Sequence, residues 1–427
     1  MSFALGVLPV AMLLLGFPIF LVLLASVTVA LVFFMHVPLA ALHQNLFGGI
    51  DAYALLAIPF FIYAGELMGR GSVAQRLVDF VQAGVGSLRG SLGVTTVGTS
   101  AIFGAISGAS AATVATIGKV MLPAMRRAGY PEKFTAGLIT AVGAIDIVIP
   151  PSIPMIVYGT AAEESVPRLY AAGVLPGLLI AGMLAVYVVW FARRNGIGAG
   201  ESFRASVFFR AAGRGLWALG APFIILGGIY GGVFSPTEAA AVACVYAAIV
   251  TRFIYRELGW RDILAAAGTT AMFTGQILII VACASVFAWL LTVNQVPAMM
   301  VAWLDALHVP AWALLATINV GLLAVGCFLD PISAILLLTP LLVPLVKAVG
   351  IDTVHFGIIV TVNLAIGLFH PPFGMNIFVA QSVLGLELGV IYRGILQFLV
   401  IYLAALVMIT YVPWISLVGV RLLLGAG

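Results

Sequence analysis

The feature that most constrains this chain is a pair of double prolines, each inside an apolar stretch long enough to cross a membrane. They are Pro150-Pro151 and Pro371-Pro372. Proline has no amide proton and its ring clashes with the carbonyl four residues earlier, so a helix cannot continue regularly through either pair. In hydrocarbon, a broken helix is tolerated only where its freed backbone groups line a polar cavity or meet protein. The sequence therefore predicts two broken helices, the first interrupted near Ile149 and restarting near Ile153.

The two double prolines are 221 positions apart (371 − 150), and the same shift aligns further residues without a gap. It carries Pro123 to Pro344, Gly129 to Gly350, Thr140 to Thr361, Ala144-Ile145 to Ala365-Ile366 and Gly173 to Gly394. Two matched double prolines alone can arise by chance, but the extended register favours an internal repeat. Broken helices at corresponding positions of two repeats are typical of the binding sites of secondary transporters.

Composition places the chain in a membrane. Of its 427 residues, 63% are hydrophobic and only 8% are charged, whereas soluble proteins carry roughly 25% charged residues. About 20 apolar residues cross a bilayer, and several runs here are that long. The net charge of +4 gives no indication of nucleic-acid binding. No catalytic constellation rises above chance, so an enzyme is not predicted.

The fold class predicted is an all-α polytopic membrane protein with two inverted halves, each with spanning helices, a re-entrant helical hairpin and a broken helix. The expected parts are first scaffold helices and an interfacial arm (1–90), a first transport half (91–192), a cytoplasmic linker (193–212), second scaffold helices and arm (213–309), and a second transport half (310–427). Gly16-Phe17-Pro18 either divides the N-terminal apolar run into two short helices or bends one long span. The run could therefore cross the membrane once or twice.

The hairpins are predicted where small or polar residues split an apolar run. The first split is at 107–110, and basic residues on both flanks, such as Arg89 and Arg126, place both ends in the cytoplasm. The second split is at 329–333. An odd number of crossings in each half turns the second half upside down relative to the first.

Two groups of residues are candidate cation ligands. Freed carbonyls and hydroxyls at Ser107, Gly108, Ala109 and Ser110 suit Na⁺, a hard ion that prefers oxygen; the alternative is a kink in a packed helix. Asp146 and Asp330 are carboxylates in apolar runs, where a charge costs at least ~2.5–3.5 kcal/mol and so needs a partner. For Asp330, followed by Pro331, the alternative role is a helix cap.

Polar residues around the two breaks are candidate ligands for a substrate carboxylate. Helix N-termini that restart after Pro151 and Pro372 would add positive dipole ends, which favour anions. The alternative for the side chains is ordinary interhelical hydrogen bonding, worth ~0.6 kcal/mol each. The candidate substrate-binding residues are Ser110, Pro151, Ser152, Thr361, Asn363, Pro372, Gly374 and Asn376.

Several segments together resemble one family, the large membrane (DctM-like) subunit of the tripartite ATP-independent periplasmic (TRAP) transporters. The matching segments lie in order over essentially the whole chain. They are FGAISGAS at 103–110, IPPSIP at 149–154 with YG at 158–159, GVFSPTEAAA at 232–241, LDP at 329–331 with LTP at 338–340, and HPPFGMN at 370–376.

The resemblance implies a multi-pass inner-membrane permease of the elevator type that uses a Na⁺ gradient to import a small organic acid, such as a C4-dicarboxylate. It implies two partners, a small four-helix membrane subunit and a periplasmic substrate-binding protein. Carried over, the cation sites are Ser107, Gly108, Ala109 and Ser110 with Asp146 and Pro150, and Asp330, Pro331 and Ser333 with Gly367 and Pro371.

Two positions depart from the family pattern. The first hairpin tip often reads Ser-Gly-Ser, and Ala109 replaces the second serine. Position 146 is more often a small residue, and Asp146 adds a carboxylate there. The alternatives to a TRAP permease are a stand-alone ion-coupled carrier or antiporter of similar fold and, from another class, a passive channel or membrane enzyme.

Overall fold

A computed structural model of the chain describes residues 3–35, 37–200 and 202–425. Within these ranges the structure is helical, and its one β-bridge pairs Arg89 with Ala199. The first ten α-helices are α1 Leu8–Leu14, α2 Ile19–Val29, α3 Leu39–Ile50, α4 Ala57–Arg70, α5 Val73–Val85, α6 Ser91–Ser107, α7 Ser110–Arg127, α8 Glu132–Val142, α9 Ile153–Ala162 and α10 Val166–Arg194. The other ten are α11 Ala205–Tyr230, α12 Pro236–Ile249, α13 Trp260–Val293, α14 Val296–Ala306, α15 Ala311–Gly326, α16 Pro331–Ala348, α17 Thr353–Gly367, α18 Met375–Leu384, α19 Leu388–Tyr411 and α20 Trp414–Leu424.

The helix lengths fit a polytopic membrane protein. Among the described residues, six helices are long and apolar enough to cross a bilayer, and α3 with α4, bent by 58°, would make a seventh span. The prediction of an all-α membrane protein is confirmed at this level.

Both predicted helix breaks are present. After α8 the chain forms a 3₁₀ turn over Gly143–Ile147, and regular helix restarts with α9 at Ile153, as predicted. The second break separates α17 from α18, between Gly367 and Met375. A cis peptide bond joins the two prolines in each break.

Both hairpins are present as well. The tip between α6 and α7 is Gly108-Ala109, and Gly108 has φ +57°, a conformation that glycine adopts without a steric penalty. The second tip lies between Gly326 and Pro331, about two residues earlier than the predicted split. Pro331 begins α16 because its missing amide proton is not needed at a first helical position.

The two halves show the same elements at nearly the same offset. The hairpin arms α7 and α16 both have 18 residues and begin at Ser110 and Pro331, and α8 and α17 begin at Glu132 and Thr353, all 221 positions apart. Helices of each half pack on helices of the other half, in corresponding pairs. Hairpin arm α7 packs on α18 and α16 packs on α9, while α8 packs on α19 and α17 on α10.

The contact of α8 with α19 requires two glycines. A Cβ atom at Gly137 would lie 2.2 Å from the carbonyl oxygen of Gly394, and one at Gly394 would lie 2.1 Å from the carbonyl oxygen of Lys133. These neighbours are backbone atoms that cannot rotate away, so the two helices approach at backbone distance only because both positions lack a side chain.

The helices form two groups by their contacts. The scaffold helices, defined here as α1–α5 and α11–α13, pack mainly on one another, with α4 against α12 and α3 against α13. The central bundle, defined as α6–α10 and α15–α20, contains both hairpins and both breaks. The two groups meet where α4 and α5 contact α6 and α7, where α11 contacts α6, where α4 contacts α9, and where α13 contacts α16. Helix α14 packs on both groups, on α16 and on α13.

Glu257, in the connection between α12 and α13, ties that connection to the start of arm helix α5. Its carboxylate accepts a hydrogen bond from the Ser72 amide at 2.6 Å and pairs with Arg76 at 3.2 Å. Partial burial acts to raise the pKa of Glu257, but the bonds from Ser72 and Arg76 outweigh it and hold the pKa below its ordinary value. The predicted arm is therefore a helix held by a specific ion pair.

Parts of the chain differ from what the sequence predicts. Helix α3, which was not predicted, precedes α4, whose first residue is Ala57. The expected linker 193–212 overlaps α10 and α11, leaving a non-helical connection only between Arg194 and Ala205. The last long helix, α19, ends at Tyr411, because Pro413 has no amide proton with which to extend it. The N-terminal run forms two short helical segments, one of the two alternatives.

Candidate functional site

The first hairpin tip and the first break meet around Asp146. Asp146 lies in the 3₁₀ turn after α8 and its side chain is fully buried. Its Oδ2 accepts hydrogen bonds from the hydroxyl of Ser107, at 3.4 Å, and from the hydroxyl of Thr113. Ser107 also accepts a bond from the Ala109 amide at 3.1 Å. The tip is thereby held against the break through one carboxylate.

The other carboxylate oxygen, Oδ1, is buried without a hydrogen-bond partner. Among the described residues no lysine, arginine or histidine lies within ion-pairing distance of Asp146. Gly104 makes room for this oxygen, since a Cβ there would lie 2.5 Å from Oδ1. A buried carboxylate is stable only when its charge is paired or neutralised, so the arrangement suits a bound cation.

The same tip meets the second break through Ser110 and Asn376. The Asn376 amide nitrogen donates to the Ser110 hydroxyl at 2.8 Å and to the Thr140 carbonyl at 3.3 Å. The Ser110 hydroxyl in turn donates to Asn376 Oδ1 at 3.1 Å. Both side chains are buried. This bridge joins hairpin 1 to the half-helix of the other half.

Two helix N-termini come together at this bridge. Ser110 is the first residue of α7 and Asn376 is the second residue of α18. Helix N-termini carry a partial positive charge and unpaired amide donors. The contact between Ser110 and Asn376 therefore joins two positive ends, which is an arrangement that favours an anion.

The second hairpin tip is built differently. Asp330 is exposed and caps α16, accepting hydrogen bonds from the amides of Ile332 and Ser333 at 3.1 Å and from the Ser333 hydroxyl. This is the capping alternative considered for Asp330. At the buried end of the tip, a Cβ at Gly367 would lie 2.5 Å from the Gly326 carbonyl oxygen, so backbone meets backbone there.

The second tip also contacts the second double proline. The Cys327 thiol lies 2.9 Å from His370 Nδ1 and 3.7 Å from the Pro371 carbonyl oxygen. The predicted residues of this group, Asp330 to Ser333 with Gly367 and Pro371, therefore belong to two touching segments. Under the 221-residue shift Gly367 corresponds to Asp146, so one half has a carboxylate where the other has no side chain.

The remaining predicted residues have ordinary partners. Ser152 caps α9 and donates to the Ile147 carbonyl at 2.6 Å, and Thr361 donates to the Gly357 carbonyl within its own helix at 2.7 Å. Asn363 donates to Asn319 of α15 at 2.7 Å. These three contacts are ordinary hydrogen bonds within or between helices, which was the alternative to substrate binding for each residue. Asn363 Oδ1 is nevertheless buried without a partner.

The prolines and Gly374 differ in burial. Pro150 and Pro151 are buried, and a Cβ at Gly108 would lie 3.1 Å from the Pro151 carbonyl oxygen, so tip and break touch. Pro372 is exposed, and its carbonyl accepts a bond from Tyr392 at 2.7 Å. Gly374, at the start of α18, is buried.

Sequence reasoning missed three residues of the site: Thr113, Gly104 and Thr140. Thr113 lies one helical turn after Ser110, and a search for polar residues at that spacing would have found it. Gly104 acts by lacking a side chain, and Thr140 through its carbonyl, so no side-chain pattern identifies either one.

Comparisons with known proteins agree with this architecture. Residues 6–415 match the profile of the family described as "Tripartite ATP-independent periplasmic transporter, DctM component". The C4-dicarboxylate TRAP transporter large permease protein DctM of Pseudomonas aeruginosa is 42% identical over 373 residues, 87% of each chain. The isethionate TRAP transporter permease protein DctMQ of Oleidesulfovibrio alaskensis is 40% identical over 385 residues, 89% of this chain and 60% of that protein.

A solved structure shares the fold. The YdaH transporter of Alcanivorax borkumensis superposes with a TM-score of 0.64, over 90% of this chain and 89% of its own, at 17% sequence identity. At that identity the likeness concerns the fold alone. Because the family profile and relatives well above 30% identity span most of its length, this chain belongs to the DctM family of TRAP transporter large permease proteins.

Proposed function

We propose that this chain carries a small organic acid anion across the bacterial inner membrane together with Na⁺, and that both bind at the first hairpin tip. The observation that supports this most directly is the tip itself. Ser107 faces the buried carboxylate of Asp146, and Ser110, three residues later, faces Asn376 at the meeting of two helix N-termini.

Cation and anion would thus contact the same four-residue turn. A cation at Asp146 fixes Ser107 and the tip, and the tip positions Ser110 and the α7 N-terminus for the anion. Because the two ligands share one element, the binding of either favours the binding of the other, which is the thermodynamic requirement for coupled transport. A second Na⁺ site is proposed at Asp330, Pro331 and Ser333 with Gly367 and Pro371, built mainly from backbone oxygens.

The substrate class is proposed from the positive helix ends and from the relatives. The relative from Pseudomonas aeruginosa is a C4-dicarboxylate permease and that from Oleidesulfovibrio alaskensis an isethionate permease. Dicarboxylates and isethionate, a sulfonate, are small organic anions. Direct candidates for anion contacts are the side chains of Ser110 and Asn376.

An elevator movement and an inverted repeat are proposed from the packing. The exchanged contacts, α7 on α18 and α16 on α9, are those expected for two halves related by a two-fold axis. The central bundle holds both hairpins and both breaks, and the proposal is that it moves as one body against the scaffold helices. The partners proposed are a small membrane subunit and a periplasmic binding protein; the DctMQ relative extends well beyond the region that this chain covers.

The test is uptake by proteoliposomes that contain this chain and its small membrane subunit. Radiolabelled C4-dicarboxylates and isethionate are offered with an inward Na⁺ gradient, with K⁺ replacing Na⁺, and with or without the binding protein. Saturable uptake that requires both Na⁺ and the binding protein is the expected result. Uptake without the binding protein would favour a stand-alone carrier, and non-saturable flux without Na⁺ would favour a channel.

A further inference from the structure

A basic cavity lies beside the arm helix, far in sequence from both breaks. Its volume is about 740 Å³, and its walls are α5, the start of α11 and the connection between α10 and α11. Four arginines line it: Arg76, Arg204, Arg210 and Arg214. Lys and Arg concentrate in cytoplasmic loops of membrane proteins, so this cavity is on the expected cytoplasmic side.

Most of this positive charge has no acidic partner among the described residues. Arg76 pairs with Glu257, but Arg204, Arg210 and Arg214 lie within 4 Å of no described carboxylate. Asp79, the acidic residue found among the described residues of the lining, accepts a bond from Gln75 at 2.8 Å. Glu201 is in the same connection, outside the described residues. Arg210 and Arg214 are one turn apart on α11, where like charges repel.

Large apolar side chains surround the same segment. Phe203 and Phe209 flank the arginines and are 56% and 71% exposed, and Trp217, one turn after Arg214, is 44% exposed. Exposed aromatic rings beside basic residues are typical of the membrane–water interface. A ligand that satisfies both features is an amphiphile with an anionic head, rather than a free ion.

We propose that this cavity binds the phosphate of an anionic glycerophospholipid from the cytoplasmic leaflet, with Arg204, Arg210 and Arg214 as its ligands. Guanidinium groups match phosphate oxygens in bidentate geometry, and juxtamembrane arginine clusters attract anionic lipids. The acyl chains lie along the exposed rings of Phe203 and Phe209.

The cavity also borders the joint between arm helix α5 and hairpin arm α6, since Gly86 and Ser91 line it. The connection between α10 and α11 touches that joint, because a Cβ at Gly200 would lie 2.5 Å from both the Gly86 carbonyl oxygen and the Ser91 hydroxyl. A phosphate held by the start of α11 would therefore lie beside the joint between the scaffold helices and the central bundle.

The experiment measures lipid binding, so its outcome is independent of the proposed transport activity. Purified full-length protein in detergent is titrated with phosphatidylglycerol, phosphatidylcholine or inorganic phosphate, and bound lipid is counted by native mass spectrometry. The triple variant Arg204→Gln, Arg210→Gln and Arg214→Gln is compared with the wild type. The matched control changes three exposed arginines outside the cavity, Arg193→Gln, Arg256→Gln and Arg261→Gln.

We expect the cavity variant to bind phosphatidylglycerol roughly a hundredfold more weakly, and the control less than about threefold. A variant with lysine at the same three positions keeps the charge but loses the bidentate geometry, so its affinity should lie between those of the wild type and the glutamine variant; this separates a charge effect from misfolding. Equal loss in both glutamine variants, or no loss in either, overturns the proposal. If inorganic phosphate binds the cavity as tightly as phosphatidylglycerol does, the assignment to a lipid is overturned.

Discussion

Replacing Asp146 with asparagine tests the central electrostatic claim. Asparagine keeps the shape and one oxygen of Asp146 but removes the charge. A cation about 4 Å from a carboxylate gains about 4 kcal/mol at an effective dielectric constant of 20. Removal of both ions from water offsets part of this gain. We therefore expect Asp146→Asn to weaken Na⁺ binding by at least about tenfold and at most about a thousandfold.

Thermal unfolding of the purified protein measures this weakening without transport. A ligand present at 100 times its dissociation constant stabilises a protein by about 2.7 kcal/mol, and at ten times by about 1.4 kcal/mol. Replacing choline chloride by NaCl at constant ionic strength should therefore raise the melting temperature of the wild type clearly, and that of Asp146→Asn by about half as much or less.

The control is Asp352→Asn. Asp352 is exposed and caps α17 with bonds to two backbone amides, and asparagine caps helices about as well as aspartate. Its Na⁺-dependent shift should equal that of the wild type. If Asp146→Asn shows the full wild-type shift, the buried carboxylate does not bind the cation, and the reasoning from its unpaired oxygen is refuted.

Three further predictions concern other regions. Gly394→Ala should destabilise the protein by about 1–3 kcal/mol, because its Cβ meets a backbone carbonyl of α8 at 2.1 Å; Gly389→Ala on the same helix has open space and should not lower the melting temperature. Asp330→Ala should raise the Na⁺ concentration needed for half-maximal uptake and lower the free energy of unfolding by about 1 kcal/mol, because the helix cap is lost. Asp330→Asn keeps the cap and should unfold like the wild type. If Na⁺ activates Asp330→Ala as it does the wild type, Asp330 is not part of the cation site. The pKa of Glu257 is lowered in the folded protein, so its contribution to stability is present above its unfolded pKa, near 4.5, and is lost as the pH falls through the lower folded value. Glu257→Gln should therefore abolish that part of the acid-induced drop in melting temperature. A pH profile identical to that of the wild type would contradict this.

The breaks and hairpins were predictable because proline and glycine act locally. Two adjacent prolines remove two adjacent amide donors, so no regular helix runs through Pro150-Pro151, although α8 already ends at Val142. The 221-residue shift then places α16 from α7. Helix α3 was missed because His43, Gln44 and Asn45 interrupt its apolar run. Short helices that begin beside a proline, such as α14 and α20, have too few residues to be recognised as spans from the sequence.

The site was predictable only in part, since its contacts join distant segments. The sequence identifies Asp146 and Ser110 as unusual residues in apolar runs, but not that Thr113 bonds to one and Asn376 to the other. Asp330 is a second residue whose surroundings could not be predicted. The following proline predicts that it caps a helix, but its exposure to solvent depends on the packing around the second tip.

The unequal pair formed by Asp146 and Gly367 bears on the charge that the proposed transport cycle would move. A buried carboxylate must be paired or neutralised, and this holds for Asp146 after the cation has left as well. A proton would then take the place of the cation during the return step, so this position would carry no net charge back through the membrane. Gly367 has no group that needs such an exchange, so only the first half would make the return step depend on the pH.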